Sequence, residues 1–176
     1  MRLVARRGVH AVTMRDISGE SGLSLGSTTY HFADRAALLR AAFVVYVADV
    51  ESLVTAAVAT SRKRRDVQAD GGVHAALRTL FTERRQVLVR SELRLEASRD
   101  DVLHELHRRC REAIRALVAA ALRAEHQPAG ADAVWAALAA LDTAAIDTAC
   151  DHHDPVEFAA AMHAYLAGAF DVREAS

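Results

Sequence analysis

The stretch TMRDISGESGLSLGSTTYHFADRAALL, residues 13–39, decides the fold. Thr13 stands three residues before Asp16, the spacing of a capping box, so a short helix is expected from about 14 to Ser21. Gly22 supplies the turn. Ser24 caps a second short helix over 25–31, and Asp34 caps a third, long one. Ser18 is small, so the first two helices can pack closely, and Ile17, Leu23, Thr28 and Phe32 are expected to close a miniature core between them. That leaves Leu25, Gly26, Ser27, Thr29 and Tyr30 facing outward. A helix presented this way fits the major groove of DNA and reads base edges from its N-terminal end. Gly26 carries no side chain, so the backbone can approach a duplex. The hydroxyls of Thr13, Ser27, Thr29 and Tyr30 suit phosphate contacts. Arg35 adds a cation beside a helix N-terminus, a seat for phosphate.

The order Thr-x-x-x-Ile-small-x-x-x-Gly-apolar-Ser-x-Gly-x-x-x-Tyr-His-Phe-x-x-Arg-x-x-Leu-Leu resembles the DNA-binding domain of the TetR family over about residues 3–43. The resemblance implies roles residue by residue. Thr13 and Arg15 would meet phosphate or a base edge. Leu25, Gly26, Ser27 and Thr28 would lie on or near the groove, behind the Ser24 cap. Tyr30, His31 and Arg35 would clamp the DNA backbone. Many members carry Tyr where this chain has Thr29, so the clamp here passes to Tyr30. The resemblance further implies a ligand-responsive transcriptional regulator, by family habit a repressor. It would bind a palindromic operator as a homodimer through its last two helices and be released by a small-molecule effector. The alternative is an all-helical small-molecule-binding or interaction protein with an impaired DNA-binding head, because the family's first helix usually has a further turn or two before Leu3.

Charge points the same way. Residues 1–40 carry six arginines against three carboxylates, and the remainder 16 basic against 20 acidic residues, out of a net charge of −1. A basic head on an acidic body suits a polyanion-binding head.

The whole chain reads as all-α: a three-helix head over 1–45 and a helical ligand-binding and dimerisation body over 46–176. Of 176 residues, 52% are hydrophobic and only 5% aromatic. That composition supplies a core made mostly of helix formers rather than alternating strands. A first helix is expected over 1–7, closed by Gly8. The long helix reaches about residue 60. The polar stretch 61–72 reads as a loop. Helices are then expected at 73–90, 91–98, 100–126, 132–149 and 156–171, with Pro128 and Gly130 breaking the chain and Asp154-Pro155 starting the last helix. For the dimer seam the small and large residues of the last two helices are candidates: Trp135, Leu138, Leu141 and Ala145, then Phe158, Met162, Tyr165 and Ala169.

No effector site is assigned. Phe81, Leu88, Leu95, Leu103, Leu106, Ile114 and Leu117 are pocket candidates, with Glu92, Arg94, Glu96 and Arg99 as polar handles, and plain core or solvated charge is the competing reading for each. Arg62–Arg65 could touch DNA, though solvated loop is the better reading. No metal is expected: His104 and His107 lack an obvious third ligand beyond Cys110, and His152-His153-Asp154 reads as solvated loop. No nucleophile elbow, phosphate-binding loop or dinucleotide fingerprint is present, so neither cofactor nor catalysis is expected. Two separated cysteines without a CxxC partner fit a reduced, cytoplasmic chain. No apolar run approaches the roughly 20 residues of a membrane span, and no signal peptide is evident.

Overall fold

The computed structural model describes residues 1–63, 71–151 and 154–168; the side chains of 62, 63 and 155 are excepted. Every regular element among the described residues is helical.

Local capping chemistry sets the first four elements. α1 (Arg2–Ala11) is interrupted at Gly8, whose φ of 74° and ψ of 159° lie in a region almost closed to other residues. α2 (Met14–Ser21) begins at Thr13. The Thr13 hydroxyl accepts from the Asp16 amide at 3.2 Å, and the Asp16 carboxylate accepts from the Thr13 amide at 2.9 Å. Gly22, with φ 71°, ends α2. α3 (Leu25–His31) begins at Ser24, whose Oγ accepts from the Ser27 amide at 3.0 Å. α4 (Arg35–Lys63) begins beside Asp34, which accepts from the Ala37 amide at 2.7 Å. α2, α3 and the start of α4 therefore fall where the sequence places them, whereas the first helix, expected to close at Gly8, resumes beyond it to Ala11. α4 runs unbroken across the border expected at residue 45.

The body continues with α5 (Gly71–Thr82), α6 (Arg84–Glu96), α7 (Asp101–Ala124), α8 (Ala131–Asp151) and α9 (Pro155–Leu166). The break expected near residue 90 falls at Glu83 instead, which is extended at φ −73° and ψ 107°. No glycine or proline marks it. Its partner is tertiary: Arg90 on α6 is buried and donates to the Leu80 carbonyl at 2.7 Å, satisfying a group in the last turn of α5. The loop expected over 61–72 is shorter at both ends, and residues 64–70 lie outside the described residues.

α4 makes its most extensive contact with α7 and also packs on α5. Phe43 and Val47 of α4, Leu77 and Phe81 of α5 and Ile114 and Leu117 of α7 are almost wholly buried in this core. By length and composition α4 (over Arg35–Ser61) and α8 are apolar enough to cross a bilayer, contrary to the sequence reading. Asp49 and Glu51 interrupt the apolar run of α4 without lowering its mean hydropathy enough. In this fold α4 is a core helix, and Glu51 pairs with Arg109 of α7 at 2.6 Å.

Two packing expectations are corrected. Leu23 is 55% exposed, so the miniature core of the head is closed by other contacts. Ser18 and Thr28 are both buried, and their hydroxyls lie 2.8 Å apart. The core of the head is thus partly polar, and Ser18 matters for its hydroxyl as well as its size. On α8 and α9, Leu138, Leu141, Ala145, Phe158 and Met162 are buried within the subunit's own core. Of the seam candidates only Trp135 is largely exposed; Ala169 lies outside the described residues. An amphipathic helix must bury its larger apolar stripe first, and each of these helices turns that stripe inward.

Replacing Thr28 with Val removes one side of a buried hydrogen bond at nearly constant volume. Urea unfolding of the full chain is expected to show a loss of about 1 kcal/mol. Gly8→Ala forces an alanine into the glycine-only region and puts its Cβ 3.1 Å from Glu92 Oε1. It is expected to cost about 1–3 kcal/mol by the same measurement.

Candidate nucleic-acid interface

α3 is the surface element of the head. Leu25 is 41% and Tyr30 86% exposed, and Gly26, Thr29 and His31 are exposed beside them. Ser27 is half-buried, while Thr28 faces α2. The Tyr30 ring meets the edge of His31 with centroids 5.2 Å apart. A large aromatic standing this far out of a small head is not serving the core.

The hydroxyls differ in what they have left to offer. Thr13 Oγ1 donates to Asp16 Oδ2 at 2.7 Å, so its one proton is used within the capping box. Thr29 Oγ1 donates back to the Leu25 and Gly26 carbonyls at 3.0 and 3.1 Å. Ser24 Oγ accepts from the Ser27 amide and, among the described residues, donates its proton to no acceptor. Tyr30 has no hydrogen bond among the described residues. A phosphate oxygen needs a donor, so Ser24 and Tyr30 are better placed to supply one than Thr13 or Thr29. The Thr13 hydroxyl and amide, followed by Arg7, hold the Asp16 carboxyl down to about 2. The box is therefore intact above the ordinary carboxylate range of about 4 and lost as pH falls through about 2.

The arginines are divided in the same way. Arg2 pairs with Glu20 at 2.7 Å, Arg7 with Asp16 at 2.8 Å and Arg40 with Asp100 at 2.7 Å. Arg35 donates to the backbone carbonyls of Val9 and Val12, so its guanidinium clamps the head's own chain. Arg6 and Arg15 are exposed and make no ion pair among the described residues. Surface pairs such as Arg2–Glu20 contribute little and can exchange for phosphate. Arg35 is held by two carbonyls, and its release would leave the Val12 carbonyl without that donor.

The connection of head to body was not legible in the sequence. Glu92 of α6 accepts from the Val9 amide at 3.0 Å, just past the Gly8 interruption, and Glu96 meets His10 at 3.1 Å. Both glutamates were candidates for effector handles; both face α1 instead. Phe81, Leu103, Leu106, Ile114 and Leu117 are core, Leu88 is half-buried and Leu95 is 59% exposed. Arg99 pairs with Glu96 at 3.4 Å. Arg94 lines a cleft of about 320 Å³ between α6, α7 and α8, with His107, Arg111, Asp142, Trp135 and Ile146. Asp142 faces Arg90 at 3.3 Å and Arg111 at 3.4 Å. Burial, helped by Arg111 and Arg94, pushes the His107 pKa down. Cys110 is fully buried and its thiol is pushed up to about 11, which makes it inert rather than redox-active. His152 and His153 lie outside the described residues.

Comparison with known proteins agrees with this architecture. Residues 1–42 match the model of bacterial regulatory proteins of the tetR family. Residues 64–172 match that of the tetracyclin repressor-like C-terminal domain. No curated protein matches the chain in sequence. Among solved structures, the fatty acid degradation regulator FadR of Bacillus halodurans superposes with a TM-score of 0.70 at 15% identity, over 98% of this chain and 92% of that one. A Pseudomonas aeruginosa PAO1 protein assigned as a transcriptional regulator gives 0.69 at 17% identity, over 97% and 86%. A Rhodococcus sp. protein assigned to the TetR family gives 0.62 at 20% identity, over 96% and 90%. At these identities the structures speak for the fold, and the two sequence models, which between them span most of the chain, for the family. The chain belongs to the TetR family of transcriptional regulators, with a DNA-binding helix-turn-helix head and a tetracyclin repressor-like body.

Proposed function

We propose that the protein is a homodimeric repressor that binds a palindromic operator through α3 and is released when a small molecule binds the body. The observation that carries this reading is the exposed N-terminal half of α3, capped by Ser24, beside a Tyr30 that is 86% exposed. In the proposed complex Leu25, Gly26 and Ser27 face base edges. Arg15, Ser24, Tyr30 and His31 hold phosphates. Thr28 and Arg35 act indirectly by holding the head together, and Thr13 and Thr29 by ordering α2 and α3. Such a protein works on the chromosome, in the cytoplasm, and needs neither cofactor nor catalytic group.

One small head gives weak affinity, and two heads on one operator give useful affinity. The outer surfaces of α8 and α9 support the dimer. Ala136, Ala140 and Thr143 are exposed on α8, and Val156, Ala160 and Ala161 on α9. Small residues allow two such helix pairs to approach closely. The cleft beside Trp135 is the proposed effector seat. Its Arg94 and Arg111 outnumber the one carboxylate, Asp142, which favours a ligand carrying an anionic group. From α6, which lines the cleft through Arg94, Glu92 and Glu96 reach the α1 segment of the head. A shift of α6 would therefore move the head, and effector and DNA must weaken each other's binding by the same factor.

The alternative, a binding protein with an impaired head, is favoured by one observation. Four of the six head arginines are already engaged inside the protein. Selection of randomised duplexes by the purified protein, repeated across salt, separates the two. Enrichment of a near-palindrome that fades as salt rises supports the repressor. A folded dimer that enriches nothing supports the alternative. On the selected site, Arg15→Ala is expected to weaken binding and lower the slope of log K against log salt by about 1 per head. Tyr30→Phe is expected to cost about 1 kcal/mol per head. Thr29→Val is expected to leave the salt slope unchanged, and Leu25→Ala to alter which sequence is preferred.

A further inference from the structure

Three residues that are distant in sequence meet at the far end of the body. His74 lies in the first turn of α5, Glu125 caps the C-terminus of α7, and His163 lies in the last turn of α9. One ligand atom from each falls within a sphere where all three are within 4.8 Å of one another. His74 Nε2 stands 3.4 Å from Glu125 Oε1, and the two imidazole rings meet edge to face with centroids 4.9 Å apart. We propose that His74, Glu125 and His163 form a site for a divalent transition-metal ion, with Zn²⁺ as its probe.

The donor chemistry fits. Two imidazoles and one carboxylate make a set that binds Zn²⁺ at about 2.0–2.2 Å and leaves a fourth position open. Tetrahedral ligands at that distance stand about 3.3 Å apart. The His74–Glu125 pair already meets that spacing, and His163, being exposed, can swing to complete it. The electrostatics favour a cation as well. Glu125 is a carboxylate at the negative end of the α7 dipole, and α9 also ends beside the cluster. A negative charge at a helix C-terminus is unfavourable without a neighbouring positive charge. The three elements are already docked, since Gln127 Nε2 donates to the Ala167 carbonyl at 3.1 Å, tying the end of α7 to the end of α9. Bound metal would lock α9 onto α5 and α7. The site does not depend on the DNA-binding reading.

The test uses the full chain, stripped with EDTA and titrated with Zn²⁺ by calorimetry and thermal unfolding. One ion per chain is expected, with a rise in Tm that grows with Zn²⁺ concentration and is reversed by EDTA. His163→Ala, at an exposed position, is expected to weaken Zn²⁺ binding by at least about tenfold and abolish the rise in Tm, and Glu125→Gln to weaken binding without unfolding the chain. His104→Ala, at an exposed histidine outside the cluster, is expected to bind as the parent does. Absence of Zn²⁺ stabilisation in the parent overturns the proposal. So does one-equivalent binding that survives both His163→Ala and Glu125→Gln.

Discussion

The chain between α1 and α2 cannot satisfy its own backbone, and the architecture is arranged around that need. At Gly8 the helix breaks; the Val9 carbonyl still accepts from the Val12 amide at 3.2 Å, but the Val9 amide and the Val12 carbonyl are left to partners from other helices, with Val9 and Val12 buried. Glu92 from α6 takes the amide, and Arg35 from α4 takes the two carbonyls. A buried amide or carbonyl without a partner costs about 1–3 kcal/mol, so this short segment welds three helices together. It also joins the helix-turn-helix head to the body. Arg35 stands at the first position of α4, and Glu92 sits two residues from Arg94 in the α6 cleft.

That arrangement uses much of the head's positive charge within the protein. Arg35 is a component of the frame and Arg40 belongs to the seam with Asp100. The exposed chemistry reduces to Arg6, Arg15, the free proton of Ser24 and the Tyr30–His31 corner of α3. On the proposed reading, a surface with few fixed cations would rely on doubling by symmetry more than on the strength of each head. The small-residue faces of α8 and α9 are consistent with that need.

Much of the head was legible from the sequence because its signals act over three or four residues. Thr13 with Asp16, Ser24 with Ser27, Asp34 with Ala37, and the glycines at 8 and 22 specify helix ends by hydrogen bonds and dihedral angles that need no distant partner. The body was legible only in outline. The α5–α6 break at Glu83 has no local marker, because Arg90 and the Leu80 carbonyl create it by folding back. Leu23 was assigned to the core on hydrophobicity alone, yet it lies where α2 turns outward. Most seam candidates of α8 and α9 pack into the subunit's own core, whereas Trp135, the largest of them, stays exposed.

The sequence by itself determined an all-helical chain and a helix-turn-helix head with α2, α3 and the start of α4 in place. These follow from capping, turn chemistry and periodicity, which are properties of neighbouring residues. The tertiary structure decided which polar side chains are free to meet a ligand and which are used within the protein. It engaged Arg35 with the Val9 and Val12 carbonyls and left Arg15 without an ion pair among the described residues. It drew Glu92 and Glu96 to the head and brought His74, Glu125 and His163 together. Each of those outcomes depends on contacts between residues far apart along the chain, and such contacts exist only once the helices have packed.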